Sequence, residues 1–110
     1  MSLPEIEQHR VEKLLNGFCE KRVPPHARDQ VKMAYKIVGN RVTLIESRPY
    51  YNDPSAWSEM WVAQFEYGPA TKTWSLYAYD RNNKRKPYST GPLEILILEV
   101  DNDRTGIFWG

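Results

Sequence analysis

The sequence predicts an α+β domain: a meander of four or five antiparallel strands, an N-terminal helix packed on one face and a C-terminal helix at the flank. Three observations carry this expectation. Met60 to Asp80 reads as two runs alternating large apolar and polar residues, joined by Gly68-Pro69-Ala70-Thr71-Lys72, which is a β-hairpin pattern. A tighter hairpin from Arg28 to Arg48 turns on Gly39-Asn40, a dipeptide suited to two-residue turns. Ahead of both, Leu3, Val11, Leu14, Leu15 and Phe18 recur at helical spacing, so the first segment has a stripe to bury. Short connections favour sequential pairing, hence the meander.

Helix one is expected to start at Ser2, because a hydroxyl there, Glu5 three residues later and Pro4 in the first turn together satisfy unpaired amides. Glu7 falls inside the apolar stripe, either overhanging the sheet edge or buried as a working acid. Gly17 weakens the helix, and Val23-Pro24-Pro25 ends it. In the first hairpin the two-residue turn pairs Ile37 with Val42, Tyr35 with Leu44 and Met33 with Glu46. Lys32, Ala34, Lys36, Arg41, Thr43, Ile45 and Ser47 fall on the opposite side.

Arg48 to Glu59, with two prolines and an Asn52-Asp53-Pro54 turn signal, reads as a long loop between the hairpins. Loops of this length are covers or binding loops. In the central hairpin a Pro69–Lys72 loop sets Tyr67 opposite Trp74, Phe65 opposite Leu76, Ala63 opposite Ala78 and Trp61 opposite Asp80. Strict alternation then puts Trp61 on the buried face, and Met60, Val62, Gln64, Glu66, Ser75, Tyr77 and Tyr79 on the other. A short fifth strand around Lys86 to Ser89 carries Pro87, which argues for an edge. Thr90-Gly91-Pro92 opens helix two, with Leu93, Leu96, Ile97 and Val100 on one stripe and Glu94 in the first turn. Ile107, Phe108 and Trp109 are costly to leave in water, at about 1.5–3 kcal/mol each, so the tail is expected to pack back.

At 110 residues the chain is expected to be a single domain over 1–110. A net charge of +1 gives no global field to recruit nucleic acid or an anionic membrane. The local distribution is uneven: residues 31–48 carry Lys32, Lys36, Arg41 and Arg48 against Glu46, and residues 81–90 carry Arg81, Lys84, Arg85 and Lys86 with no acid. One cysteine, Cys19, excludes an internal disulfide and a thiolate zinc cluster. No secretory leader pattern and no apolar run of about eighteen residues is present. The chain reads as cytoplasmic, with no membrane partner.

Cys19 to Pro25, Glu46-Ser47-Arg48-Pro49, Trp57-Ser58-Glu59, Thr71-Lys72-Thr73-Trp74 and the closing Thr105-Gly106-Ile107-Phe108-Trp109-Gly110 resemble an uncharacterised bacterial protein family catalogued as domain of unknown function 3024. The resemblance covers nearly the whole chain. It implies a single-domain bacterial protein and supplies no activity, cofactor or catalytic residue.

No catalytic or metal motif is assembled. His9, Cys19 and His26 fit no ligand spacing. Asp101 to Gly106 starts like a calcium loop, but the twelfth-position Glu would lie beyond Gly110. No serine sits in a nucleophile elbow, and no glycine loop cradles phosphate. No catalytic residue, metal ligand or cofactor is therefore expected.

Two constellations stand out. The first is Glu46, Arg48, Tyr50, Tyr51, Asp53, Trp57 and Glu59 in and beside the expected loop, with Phe108 and Trp109 as neighbours. A guanidinium among aromatics and carboxylates suits recognition of a protein or an anionic ligand; the plain alternative is that Arg48 merely anchors the loop. The second is the non-core face, where Lys32, Lys36 and Arg41 share a sheet with Tyr77 and Tyr79, as in folds that stack single-stranded bases. Helix two or a second subunit covering that face is the plain alternative. The expected function is a small non-catalytic binding or interaction module using the Arg48–Glu59 loop and the C-terminal tail, with a protein partner or homodimer. The alternatives are single-stranded nucleic-acid binding on the Lys/Tyr face and a small-molecule enzyme built on a buried Glu7, Glu46 or Glu59.

Overall fold

Five antiparallel strands hydrogen-bond in sequence order, β1 (Lys32–Val38), β2 (Arg41–Tyr50), β3 (Asp53–Gly68), β4 (Thr73–Tyr79) and β5 (Arg85–Gly91). They lie between α1 (Glu5–Arg22) and α2 (Leu93–Asn102). The structure, a computed structural model, describes residues 3–80 and 82–109. Ser2, the expected helix cap, lies outside the described residues, as do Arg81 of the basic turn and the terminal Gly110. Pro4 occupies the cap position of α1 instead.

Local chemistry explains the register. Gly39 takes a positive φ of 62°, which a glycine adopts freely, and the resulting two-residue turn pairs Ile37 with Val42, Tyr35 with Leu44 and Met33 with Glu46 as expected. Between β3 and β4, Tyr67 faces Trp74, Phe65 faces Leu76 and Ala63 faces Ala78. These inward side chains join Val11 and Leu15 of α1 and Leu93, Leu96, Ile97 and Val100 of α2 in one core. The helices are also tied directly to each other, Arg10 to Glu94 and Arg22 to Asp101. Both helices therefore lie on the same side of the sheet. Helix two does not cover the opposite face, contrary to one sequence expectation, because its apolar stripe is spent beside α1.

Two further expectations are corrected. Arg48 to Glu59 is not a loop: β2 runs on to Tyr50, β3 starts at Asp53, and Pro49 pairs with Trp57 and Tyr50 with Asp53 around a Tyr51-Asn52 turn. The prolines are tolerated because this two-stranded arm has open edges, where a missing ladder N–H costs little. Sixteen residues of β3 at about 3.3 Å each reach roughly 50 Å before twist and the bulge shorten them, comparable with the 47 Å long axis of the molecule.

The second correction is a bulge. Leu44 pairs with Ala63 and Ile45 with Trp61, so Val62 is the extra residue. Val62 is 2% exposed in the core, whereas Trp61 is 47% exposed on the opposite face. The bulge resets the alternation, exchanging the faces that strict alternation assigns to these two side chains.

Candidate functional site

The helix-free face is the candidate site. From β1 it presents Lys32 and Lys36, from β2 Arg41, Thr43 and Ile45, from β3 Trp57, Trp61, Gln64 and Glu66, from β4 Tyr77 and Tyr79, and from β5 Arg85. The register lines these up in rows: Lys36 with Thr43, Thr43 with Gln64 and Gln64 with Tyr77; Arg41 with Glu66; Ile45 with Trp61; and Tyr79 with Arg85. All five residues expected on the Lys/Tyr face, Lys32, Lys36, Arg41, Tyr77 and Tyr79, share it.

The aromatic side chains sit in three arrangements. Trp61 packs on Tyr79 with ring centroids 5.4 Å apart and planes tilted by 56°, within the favoured range for aromatic pairs. The guanidinium of Arg85 lies 3.9 Å from the centre of the Tyr77 ring. The Lys32 ammonium lies 4.0 Å from that of Trp57. A cation–π contact contributes about 0.5–1 kcal/mol where the groups are exposed. For Lys32 that is weak enough for a competing ligand to displace it, whereas Arg85 is also held by Gln64 and Glu66.

A polar lattice separates the rings. Gln64 donates from Nε2 to Thr43 Oγ1 at 3.1 Å and accepts from Arg85 at 2.8 Å. Glu66 is held by Arg41 at 2.9 Å and by Arg85 at 3.2 Å. Burial pushes the Glu66 carboxyl up, but the Arg41 hydrogen bond and the charges of Arg85 and Arg41 outweigh it and leave its pKa below the ordinary value. Burial also raises the Tyr79 phenol, against its hydrogen bond with Thr43 and the nearby arginines. The face thus offers four cations and one acid already neutralised in place, with Glu59 exposed at its margin.

The first constellation divides. Glu46 and Arg48 pair at 2.9 Å on the helix side. Together with Arg22, Met33 and Trp109 they line a cavity of about 190 Å³. Trp57 points to the opposite face beneath Lys32, and Tyr50 stands half exposed on the arm. Trp109 is fixed by its indole N–H to the Val100 carbonyl at 2.8 Å and by Arg22 over its ring at 4.0 Å. These residues do not converge on one ligand. Tyr51 is fully exposed at the arm tip.

The acids named for an enzyme are not gathered either. Glu7 pairs with Arg10 at 3.4 Å, Glu46 pairs with Arg48, and Glu59 is exposed. A hollow of about 820 Å³ between α1 and α2 is lined largely by Leu14, Phe18, Ile97 and Leu98 with a basic rim. Among the described residues no group of three His, Cys, Asp or Glu could hold a metal ion. None of the described helices is long and apolar enough to cross a membrane.

Sequence reasoning missed Trp61 and Arg85 as members of the face and left Trp57 in a loop. The signal for Trp61 was the run Met60-Trp61-Val62-Ala63, four apolar residues that break the alternation where the bulge occurs. In comparisons with known proteins, residues 3–110 match the family model described as a domain of unknown function (DUF3024). No curated protein and no solved structure matches.

Proposed function

The chain belongs to this DUF3024 family of unknown function, and we propose that its helix-free sheet face binds single-stranded nucleic acid without catalysis. The observation that carries the reading is that both helices pack on one side, leaving Trp61 exposed and Tyr79 partly exposed among Lys32, Lys36, Arg41 and Arg85. Bases stack on exposed rings, each for about 1–3 kcal/mol, while the cations meet phosphates. A near-neutral chain can do this because the cations are local to one face. The compartment that goes with this reading is the bacterial cytoplasm, supported by the lone, unbridged Cys19.

Tryptophan fluorescence during titration with oligothymidylate at low salt tests it. Quenching with a dissociation constant of about 1–100 μM is expected, and its logarithm should vary with that of salt concentration with a slope of magnitude about 2, for three phosphates. Trp61→Ala should weaken binding about tenfold or more. No binding below millimolar concentrations would overturn the proposal.

A second reading, a protein partner or a second copy on the same face, draws support from the exposed Trp61 beside Ile45 and Tyr79. It predicts a concentration-dependent dimer in sedimentation that Trp61→Ala abolishes, in place of oligonucleotide binding.

A further inference from the structure

We infer that the arm is a second base-binding station, so that the site takes a run of about four or five nucleotides rather than one or two. The inference rests on the nucleic-acid reading and adds to it the length of the ligand and the residues that set that length. Trp57 and Trp61 lie on one strand, and the pairing between them is unbroken: Ile45 with Trp61, Glu46 with Met60, Ser47 with Glu59, Arg48 with Ser58 and Pro49 with Trp57. Four residues of uninterrupted strand return a side chain to the same face. The backbone positions that carry the two indoles are therefore about 13 Å apart along β3, at 3.3 Å per residue.

That distance fixes what can bridge them. Stacked neighbours in a nucleic-acid strand are about 3.4 Å apart, so about 13 Å spans up to four steps of a stacked strand and fewer of an extended one. A mononucleotide or dinucleotide reaches only one indole. A strand of about five nucleotides reaches both.

Lys32 supplies the second part of the argument. Its ammonium occupies the Trp57 ring, and Lys32 is an exposed residue at the first position of β1, with slack in its four-carbon chain. A base arriving on that ring face displaces a cation that is weakly held. The freed ammonium then lies beside the phosphate that the same base brings. One residue thus keeps the indole covered in water and neutralises the backbone when the strand binds. At the other station Trp61 needs no such cover, since one side of its ring packs on Tyr79.

Oligothymidylates of one to eight nucleotides, titrated against the full chain and against Trp57→Ala and Lys32→Gln, separate the possibilities. For the unaltered protein, affinity should climb until about five nucleotides and then level. Trp57→Ala should keep dinucleotide affinity within about twofold and lose about tenfold at five nucleotides, the worth of one stacked base. Lys32→Gln should lower the magnitude of the salt slope by about 0.7, one single-strand phosphate, for the pentamer and not for the dinucleotide. If the Trp57→Ala length curve superimposes on that of the unaltered protein, the arm station is refuted while the Trp61 platform stands. If no length binds the unaltered protein, the nucleic-acid reading itself falls. Lys32 is exposed and Trp57 half-buried on the arm, and unchanged circular dichroism verifies that the sheet is intact.

Discussion

Asp103 is the side chain whose removal should most clearly detach the C-terminal tail. It closes α2 in the left-handed conformation, with φ 46° and ψ 52°, and its two carboxylate oxygens accept the amide hydrogens of Phe108 and Trp109, each at 3.0 Å. These bonds hold Phe108, 4% exposed, edge-on against Tyr88 with centroids 4.9 Å apart. Hydrogen bonds to a charged acceptor contribute about 1.5–3 kcal/mol each, and the lower end applies to a partly exposed group. Asp103→Ala should therefore cost about 3 kcal/mol, or about 12 °C in melting temperature for a domain of this size. Asp103→Asn keeps tolerance of the left-handed backbone and one acceptor oxygen, and should cost about half as much. Asp103→Gly loses both bonds but relieves the backbone penalty, so it should be more stable than the alanine variant by about 1 kcal/mol. Urea unfolding followed by circular dichroism, with the m-value checked for constancy, gives the order. An alanine variant within about 0.5 kcal/mol of the parent, or a glycine variant less stable than the alanine variant, would refute the account of how the tail is held.

Two further outcomes follow from charge and burial. Burial pushes the Cys19 thiol from 9.0 up to about 11, so its alkylation by iodoacetamide at pH 8 should run roughly a hundredfold slower than that of an exposed thiol and quicken about tenfold per pH unit; a rate equal to that of free cysteine would contradict the packing at the end of α1. Glu66 has a depressed pKa in the folded state, so its ion pairs stabilise the fold above the ordinary value of 4.5 and that contribution is lost as pH falls below it. Glu66→Gln should flatten the acid limb of the stability curve and strengthen oligonucleotide binding severalfold at low salt by freeing Arg41 and Arg85; weaker binding would place the ligand elsewhere.

Much of this architecture is legible in the chain, and the parts that are not have identifiable causes. Gly39-Asn40 fixes the first hairpin because a two-residue turn leaves only one register. The inward row Tyr67, Phe65 and Ala63 reads correctly because alternation holds from the turn back to Ala63. At Val62 it fails, since one inserted residue changes the phase while leaving composition untouched. Everything on β3 before that point changes its apparent side, including Trp61. The arm is hidden by its prolines, which signal loop in any central strand yet are harmless in a ribbon with open edges. The placement of α2 could not be read from its own stripe, because an apolar helix fits either face of a sheet. It is settled by the core that Leu93, Leu96, Ile97 and Val100 share with Val11 and Leu15 of α1, groups distant in sequence, with Arg10–Glu94 and Arg22–Asp101 marking the seam between the helices.

The chemistry of the bare face also limits what can cover it. Gln64 and Glu66 are already satisfied by Thr43, Arg41 and Arg85, an arrangement stable in water. An apolar helix laid over them would have to desolvate a carboxylate and two guanidinium groups, at several kcal/mol per ion, and would offer no hydrogen bonds in return. Toward Trp61 and Tyr79, by contrast, the surface is flat, aromatic and partly exposed. A ligand that suits both regions must be anionic where it meets Lys32, Lys36, Arg41 and Arg85, and planar and stackable a few ångströms away. Nucleotides combine those two properties in one repeating unit, and the spacing of Trp57 and Trp61 along a single strand asks for more than one such unit in a row.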